Sequence, residues 1–254
     1  MPRLKQSVCW WCFENRLEPD VFMRHVARIG FDAIELIPQE HFNLTRKHGL
    51  RIATHQGHQS IGRGMNDRHQ HERIEAEVLE NLKLAETWQI PVLIVFSGNR
   101  YGLTDDLGGE ITADILRRLV PYARDAGVTL ALELLNSKID HPNYMADHTS
   151  WGLRVCELVE SASVRLLYDA YHMQIMEGDV LRTINAWGPM FAHYHVAGVP
   201  GRHEPDENQE LNFPALARAI AQWEPNGYVG HEWLPTRDPV QSLEAAFQIF
   251  NLEF

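Results

Sequence analysis

Three acidic residues stand where buried strands should be wholly apolar. Glu133 lies in Val128-Thr-Leu-Ala-Leu-Glu-Leu-Leu135, Asp169 ends Val164-Arg-Leu-Leu-Tyr-Asp169, and Glu232 lies in Tyr228-Val-Gly-His-Glu-Trp233. An unpartnered carboxylate in such a setting is very costly, so each of the three needs a partner. For one carboxylate alone an ion pair or a loop contact is the better reading. For three of them on strands of one chain, a single cation satisfies the whole set. The segment Phe191-Ala-His-Tyr-His-Val196 adds two imidazoles on one strand face, since residues two apart point the same way. Either can complete the ligand set. His195 is preferred because it is nearer the strand end, and His193 then reads as a core histidine bonded to a neighbour. Two Glu, one Asp and one imidazole suit a hard or borderline divalent ion, Mg²⁺ or Mn²⁺, with Co²⁺ as the third option. No thiolate set exists for structural zinc.

Other polar residues cluster at strand ends. His55 closes Leu50-Arg-Ile-Ala-Thr-His55, with His58 just beyond, and Ser97, Asn99 and Arg100 follow Pro91-Val-Leu-Ile-Val-Phe96. Asn136 follows the Glu133 strand, His172 comes three residues after Asp169, and Arg202 lies in the loop after His195. An arginine fork suits a substrate carboxylate or phosphate. Arg100 and Arg202 are therefore candidate substrate contacts beside His172 and His55, although a loop-tethering role is at least as good a reading for Arg100. His69, His71 and Arg73 read as a solvated helix face, and Trp10 and Trp11 as packing, with walling a sugar pocket the second reading for one of them.

The elements that would position these groups alternate regularly. Strand candidates are Ser7–Phe13, Asp32–Pro38, Leu50–His55, Pro91–Phe96, Val128–Leu135, Val164–Asp169, Phe191–Val196 and Tyr228–Trp233. Amphipathic stretches separate them at Pro19–Gly30, His41–Gly49, His69–Trp88, Glu110–Ala126, His148–Ser161, Asp179–Trp187, Phe213–Trp223 and Val240–Asn251. Continuous βα alternation implies a parallel sheet. Eight units in 254 residues predict an α/β fold, a single (β/α)8 TIM barrel over residues 1–254. A doubly wound open sheet is the runner-up, but the Gly-rich phosphate turn it would carry after strand one is missing. In a barrel the working residues lie at the C-terminal strand ends, where these groups fall.

Composition narrows the partners. The formal net charge is 23 − 34 = −11, which opposes a nucleic-acid or anionic-membrane partner. Apolar residues at 44% and charged residues at 22% are an ordinary globular balance that supports a full core. No apolar run approaches the roughly 18 residues of a membrane span. Met1–Gln6 has no apolar signal region, so a cytoplasmic protein is expected. Cys9 and Cys12 form a C-x-x-C with no second pair to complete a zinc site, and reduced cysteines are the better reading. A small-molecule substrate is expected, and exposed barrel helices allow a homo-oligomer.

The chain resembles the xylose-isomerase-like barrel superfamily and, within it, the hydroxypyruvate isomerase family. The resemblance spans essentially the whole chain. It is carried by Leu132-Glu-Leu-Leu-Asn136, Tyr168-Asp-Ala-Tyr-His-Met-Gln174, His193-Tyr-His-Val-Ala-Gly-Val-Pro-Gly-Arg-His-Glu-Pro205, Gly230-His-Glu-Trp233 and Phe96-Ser-Gly-Asn-Arg100. It implies that Glu133 and Glu232 are metal ligands and acid–base groups, that Asp169 and His195 are metal ligands, and that His172 and Arg202 contact substrate. Typical hydroxypyruvate isomerases have Gln at the His195 position, and an acidic residue is common where this chain reads Val196-Ala-Gly198.

The implied chemistry is proton transfer beside a carbonyl through an enediolate, stabilised by a metal acting as Lewis acid. One glutamate removes the proton and the other returns it, steps typically contributing about 10²–10⁴-fold. Delivery to the neighbouring carbon isomerises a small hydroxy-keto acid or sugar; delivery to the opposite face of the same carbon is a ketose 3-epimerase reaction. The same enediolate follows decarboxylation of a 3-oxo sugar acid. A non-catalytic metal- or sugar-binding barrel would not need two titratable glutamates. A DNA-cleaving relative would need more histidine ligands and a basic surface.

Overall fold

The computed structural model describes residues 4–223 and 227–252. Eight parallel strands close into a barrel in sequence order: β1 (Lys5–Cys9), β2 (Ala33–Glu35), β3 (Arg51–Gln56), β4 (Val92–Val95), β5 (Thr129–Glu133), β6 (Val164–Asp169), β7 (Phe191–Val196) and β8 (Tyr228–His231). The expected (β/α)8 barrel is therefore the observed fold. Among the described residues the α-helices are α1 (Pro19–Ile29), α2 (Phe42–Lys47), α3 (His71–Trp88), α4 (Asp105–Asp125), α5 (Thr149–Val159), α6 (Ala170–Met176), α7 (Val180–Trp187), α8 (Phe213–Trp223) and α9 (Pro239–Phe250).

Two compact units divide the contacts. In the unit formed mainly by residues 4–53 and 193–252, Ser7 of β1 pairs in register with Ala33 of β2 and with Gly230 of β8, and Gly230 in turn pairs with His195 of β7. Ser7, Gly230 and His195 therefore share one layer of side chains. One step along, Cys9 stands opposite Glu35. In the unit formed mainly by residues 54–178, Val95 pairs with Leu132, Leu132 with Leu166, and Glu133 with Leu167. These strands are buried on both faces, which is why they read as continuous apolar runs.

Local signals set most helix ends. Pro19 opens α1, whose fixed φ suits the first helical position, and Gly30 closes it at φ +113°, a conformation glycine takes without steric cost. Thr104 caps α4 by accepting from the Leu107 N–H, and Asp238 caps α9 through the Val240 and Gln241 N–H groups.

Several expected boundaries shift. The first strand ends at Cys9, and Trp10–Cys12 forms a 3-10 turn closed by the Phe13 N–H on the Trp10 carbonyl at 2.8 Å. The fourth helix begins at Asp105 instead of Glu110, because the Thr104 cap and the acidic pair Asp105 and Asp106 suit a helix N-terminus. A helix not anticipated from the sequence, α6, starts directly after β6, with Asp169 as its cap. His71 faces inward, with Nε2 2.8 Å from the Met65 carbonyl, so that helix face is only partly solvated. No helix among the described residues is long and apolar enough to cross a membrane.

Candidate metal centre

Glu133 is the last residue of β5, Asp169 the last of β6, His195 the last but one of β7, and Glu232 follows β8 directly. All four are buried, and one ligand atom from each falls within 4.8 Å of the others. Three carboxylates gathered out of water demand positive charge, and the donor set is the one a hard or borderline divalent cation takes. The residues thus fit a divalent metal.

Each ligand position is built differently. Asp169 Oδ1 accepts from the backbone N–H groups of Tyr171 at 2.8 Å and His172 at 3.3 Å. Capping α6 therefore fixes the carboxylate plane, with Oδ2 3.5 Å from His172 Nε2. Beside Glu133, the Tyr144 hydroxyl donates to the Glu133 backbone carbonyl at 3.0 Å and accepts from the Ser97 N–H at 3.0 Å, and burial pushes that phenol up.

Glu232 is held by side chains. Its Oε1 accepts from the Trp11 indole at 2.9 Å, and its Oε2 accepts from the Arg202 guanidinium and lies 3.1 Å from His195 Nδ1. Burial works to raise this carboxyl, but Arg202, His195 and Trp11 outweigh it and hold it well below the usual carboxylate range. Arg202 lies over the Trp11 ring, 5.3 Å from its centroid, at φ +57°. A non-glycine residue in that left-handed region costs of the order of 1 kcal/mol or more and persists only where its surroundings fix it. Trp11, expected to be packing, thus touches both the candidate ligand Glu232 and Arg202.

His195 is wholly buried, which works against its charged form. Glu232, Cys9 and Glu35 nevertheless raise its pKa well above the usual histidine value. His193 lies against Glu35, with Nε2 3.0 Å from each carboxylate oxygen, as the core-histidine reading expects. Cys9, Glu35 and His195 also bring ligand atoms within 4.8 Å of one another. Burial, Glu35 and Glu232 push the Cys9 thiol up, so it stays protonated and is a weak ligand. Cys9, Cys12 and Cys156 are all free.

The expected substrate contacts occupy varied settings. His172 is buried; its Nδ1 accepts from the Asn136 backbone N–H at 3.1 Å and its Nε2 points to Asp169 Oδ2 at 3.5 Å. His55, on β3, is partly buried, which lowers its pKa. Arg100 donates to Asp105 at 2.9 Å, to both Asp147 oxygens and to the carbonyls of Tyr144 and Met145, which is the tethering reading. His58 is a loop anchor, with Nε2 accepting from the Phe96 N–H at 3.0 Å and Nδ1 donating to the Gln59 carbonyl.

Sequence reasoning missed Glu35. It ends β2 fully buried, as Glu133 and Asp169 end theirs, and the same test of a carboxylate in a short apolar strand would have found it.

Comparison with known proteins places the arrangement. The sequence profile of the xylose isomerase-like TIM barrel family matches residues 23–250. The chain belongs to this family. A putative hydroxypyruvate isomerase of Danio rerio is 32% identical over 118 residues, 46% of this chain and 43% of that protein. A 2-oxo-tetronate isomerase of Cupriavidus necator is 37% identical over 109 residues, 43% of this chain and 41% of that protein. The matches thus span less than half the length of these curated relatives. The crystal structure of an AP endonuclease, family 2, from Brucella melitensis superposes with a TM-score of 0.87 at 26% identity, covering 99% of this chain and all of that one.

Proposed function

We propose that this xylose isomerase-like barrel is a cytoplasmic, metal-dependent isomerase of a short hydroxy-keto acid or sugar, of the hydroxypyruvate isomerase type, working as one domain over residues 1–254. The observation that carries the reading is the buried meeting of Glu133, Asp169, His195 and Glu232. Two relatives with isomerase names, matched over part of their length, support the reaction class.

In this reading the four residues hold one Mg²⁺ or Mn²⁺, with Co²⁺ as the third option. When bound, the ion supplies a Lewis acid for the substrate's carbonyl and neighbouring hydroxyl oxygens. The chain's own groups do the rest. Glu133 and Glu232 remove and return the proton on carbon. Trp11 and Arg202 hold the Glu232 carboxylate in one orientation. Asn136 fixes the His172 ring through Nδ1, which puts the ring proton on Nε2, on the Asp169 side. His172, Arg202 and His55 contact the substrate's oxygens. Arg100 acts with them at one remove, by ordering its loop through Asp147.

A DNA-cleaving reading, suggested by the Brucella structure's name, is opposed by the net charge of −11.

The test is solvent-deuterium incorporation at the α carbon across a panel of short keto acids and ketoses with Mn²⁺. Exchange is expected with at least one substrate, and it should stop after exhaustive chelation. Glu133→Gln and Glu232→Gln should each slow it by about 10²–10⁴-fold with the fold intact. Full exchange after chelation, or near-wild-type exchange in either variant, would sink the scheme.

A further inference from the structure

Glu35 is a fully buried carboxylate that the proton-transfer scheme does not use. Three side chains from two strands converge on it. Ser7 of β1 donates its hydroxyl to Oε1, His193 Nε2 lies 3.0 Å from both oxygens, and His195 Nε2 lies 3.0 Å from Oε2. All four residues are at most 2% exposed. A histidine ring has two nitrogens, and here each has its own direction. Nε2 faces Glu35, and Nδ1 faces Glu232 Oε2 at 3.1 Å.

A carboxylate accepts and never donates, so the nitrogen facing Glu35 carries a proton. Nδ1 also faces a carboxylate, so both nitrogens carry protons in the metal-free protein. Nδ1 is the one on the side of the ligand cluster, and it is the one that would give up its proton to a cation while Nε2–H stays on Glu35. We propose that Glu35 is a positioning residue: by accepting the Nε2–H of His195 it fixes both the ring orientation and the proton's place, and so presents Nδ1 to the ligand cluster. A second-sphere carboxylate behind a ligating imidazole typically contributes 10–100-fold in metal affinity. The barrel is shaped to allow the pair. Gly230 of β8 stands in register with both Ser7 and His195, and a Cβ there would lie 2.6 Å from His195 Cδ2 and closer still to Glu35 Oε1. Only a residue without a side chain lets the carboxylate and the imidazole meet at that level.

Cys9 offers the competing account, a second metal site shared by Cys9, Glu35 and His195. Geometry disfavours it. Cys9 Sγ is 4.0 Å from His195 Nε2, whereas Glu35 is 3.0 Å from it, and both Glu35 oxygens already accept hydrogen bonds.

The consequence for metal affinity rests on the function proposed above; the placement of the His195 proton does not. The experiment therefore has two readouts, on wild type and Glu35→Gln, each with ¹⁵N-labelled histidine. In metal-free protein, the His195 Nε2–H signal should be hydrogen-bonded and slow to exchange in wild type, and displaced or lost in the variant. The His58 ring, held on the Phe96 N–H and outside the influence of Glu35, should be unmoved, which a general loosening of the barrel would not allow. In the second readout, Mn²⁺ titration followed by electron paramagnetic resonance, the variant should bind about 10–100-fold more weakly. His195 signals identical in the two proteins, or equal Mn²⁺ affinity, overturn the proposal. Wild type that binds no Mn²⁺ removes the metal reading instead, and the ring signals then decide the positioning role alone. Should Glu35→Gln not fold, Glu35→Asp keeps the charge but withdraws it by one methylene. The same displacement of the His195 signal is expected there, and its absence counts equally against the proposal.

Discussion

The two units of the barrel hold their candidate ligands by different means. In the β5–β6 region, the Asp169 carboxylate is fixed by backbone N–H groups at the start of α6. In the β7–β8 region the ligand side chains are held by other side chains: Glu35 on His195, and Trp11 and Arg202 on Glu232. A backbone donor survives any substitution except proline, whereas a side-chain donor disappears with a single change. His195 and Glu232 should therefore be the tunable candidates and Asp169 the constant one.

Matched glycine substitutions give the largest expected contrast. Gly230→Ala should drive a methyl group into the Glu35–His195 pair. Overpacking of this kind costs about 1–3 kcal/mol, so both the melting temperature and the Mn²⁺ affinity should fall. Gly152→Ala, on α5, meets the side-chain ends of Leu166 and Leu134 at 2.8 and 3.0 Å. It should lower thermal stability and leave Mn²⁺ affinity alone, because no restraint on a ligand is touched. Calorimetry with Mn²⁺ titration on both variants checks this, and equal affinity losses would erase the distinction between the two regions.

A smaller contrast separates side-chain from backbone restraint directly. Trp11→Phe removes the indole donor to Glu232 while keeping an aromatic surface under Arg202. A hydrogen bond to a charged group contributes about 1.5–3 kcal/mol, so the carboxylate should lose orientation and turnover should fall by roughly tenfold or more. Tyr171→Phe removes a hydroxyl that bonds Asp140 at 2.9 Å but leaves the Tyr171 N–H on Asp169. Its turnover should match wild type. A loss there as large as that in Trp11→Phe would show that Asp169 depends on the side-chain network after all.

The same contrast governs what the sequence made legible. The barrel was readable because each strand is a short apolar run and each helix a separate amphipathic stretch. The candidate ligands were readable because Glu133, Asp169 and Glu232 break those runs. Glu35 breaks one too, but it lies on the second strand, away from the late strands where the other carboxylates gather. Trp11 looked like packing because an indole is mostly apolar, and its single N–H gains meaning only beside Glu232. Helix α6 is hard to see in the sequence because Asp169, which reads there as a candidate ligand, is also its cap. Side-chain restraint depends on partners far apart in the chain, such as Glu35 and His195, so it shows only in three dimensions.

The smallest expected effect concerns loops, where the two regions converge. Each clamps its active-end loops with one buried carboxylate. Asp147 binds Arg100, Ser137 and His148 in one, and Glu204 binds Thr236, Arg237 and Ser242 in the other. Burial works to raise the Glu204 carboxyl, but the Thr236 N–H, Arg237 and Ser242 outweigh it and hold it at about 2, against 4.5 in a free side chain. The folded value lies below the unfolded one. The contribution of Glu204 is therefore complete above about pH 4.5 and is lost as the pH falls towards 2. Asp147 is shifted in the same direction, with Arg100 and Ser137 outweighing its burial. Glu204→Gln should thus lower stability by about 1 kcal/mol at neutral pH and by progressively less in acid, so the curves of variant and wild type converge below pH 3. Urea unfolding at a series of pH values measures this. A variant whose deficit is constant from pH 7 to pH 3 would mean that Glu204 acts through shape and not through its charge.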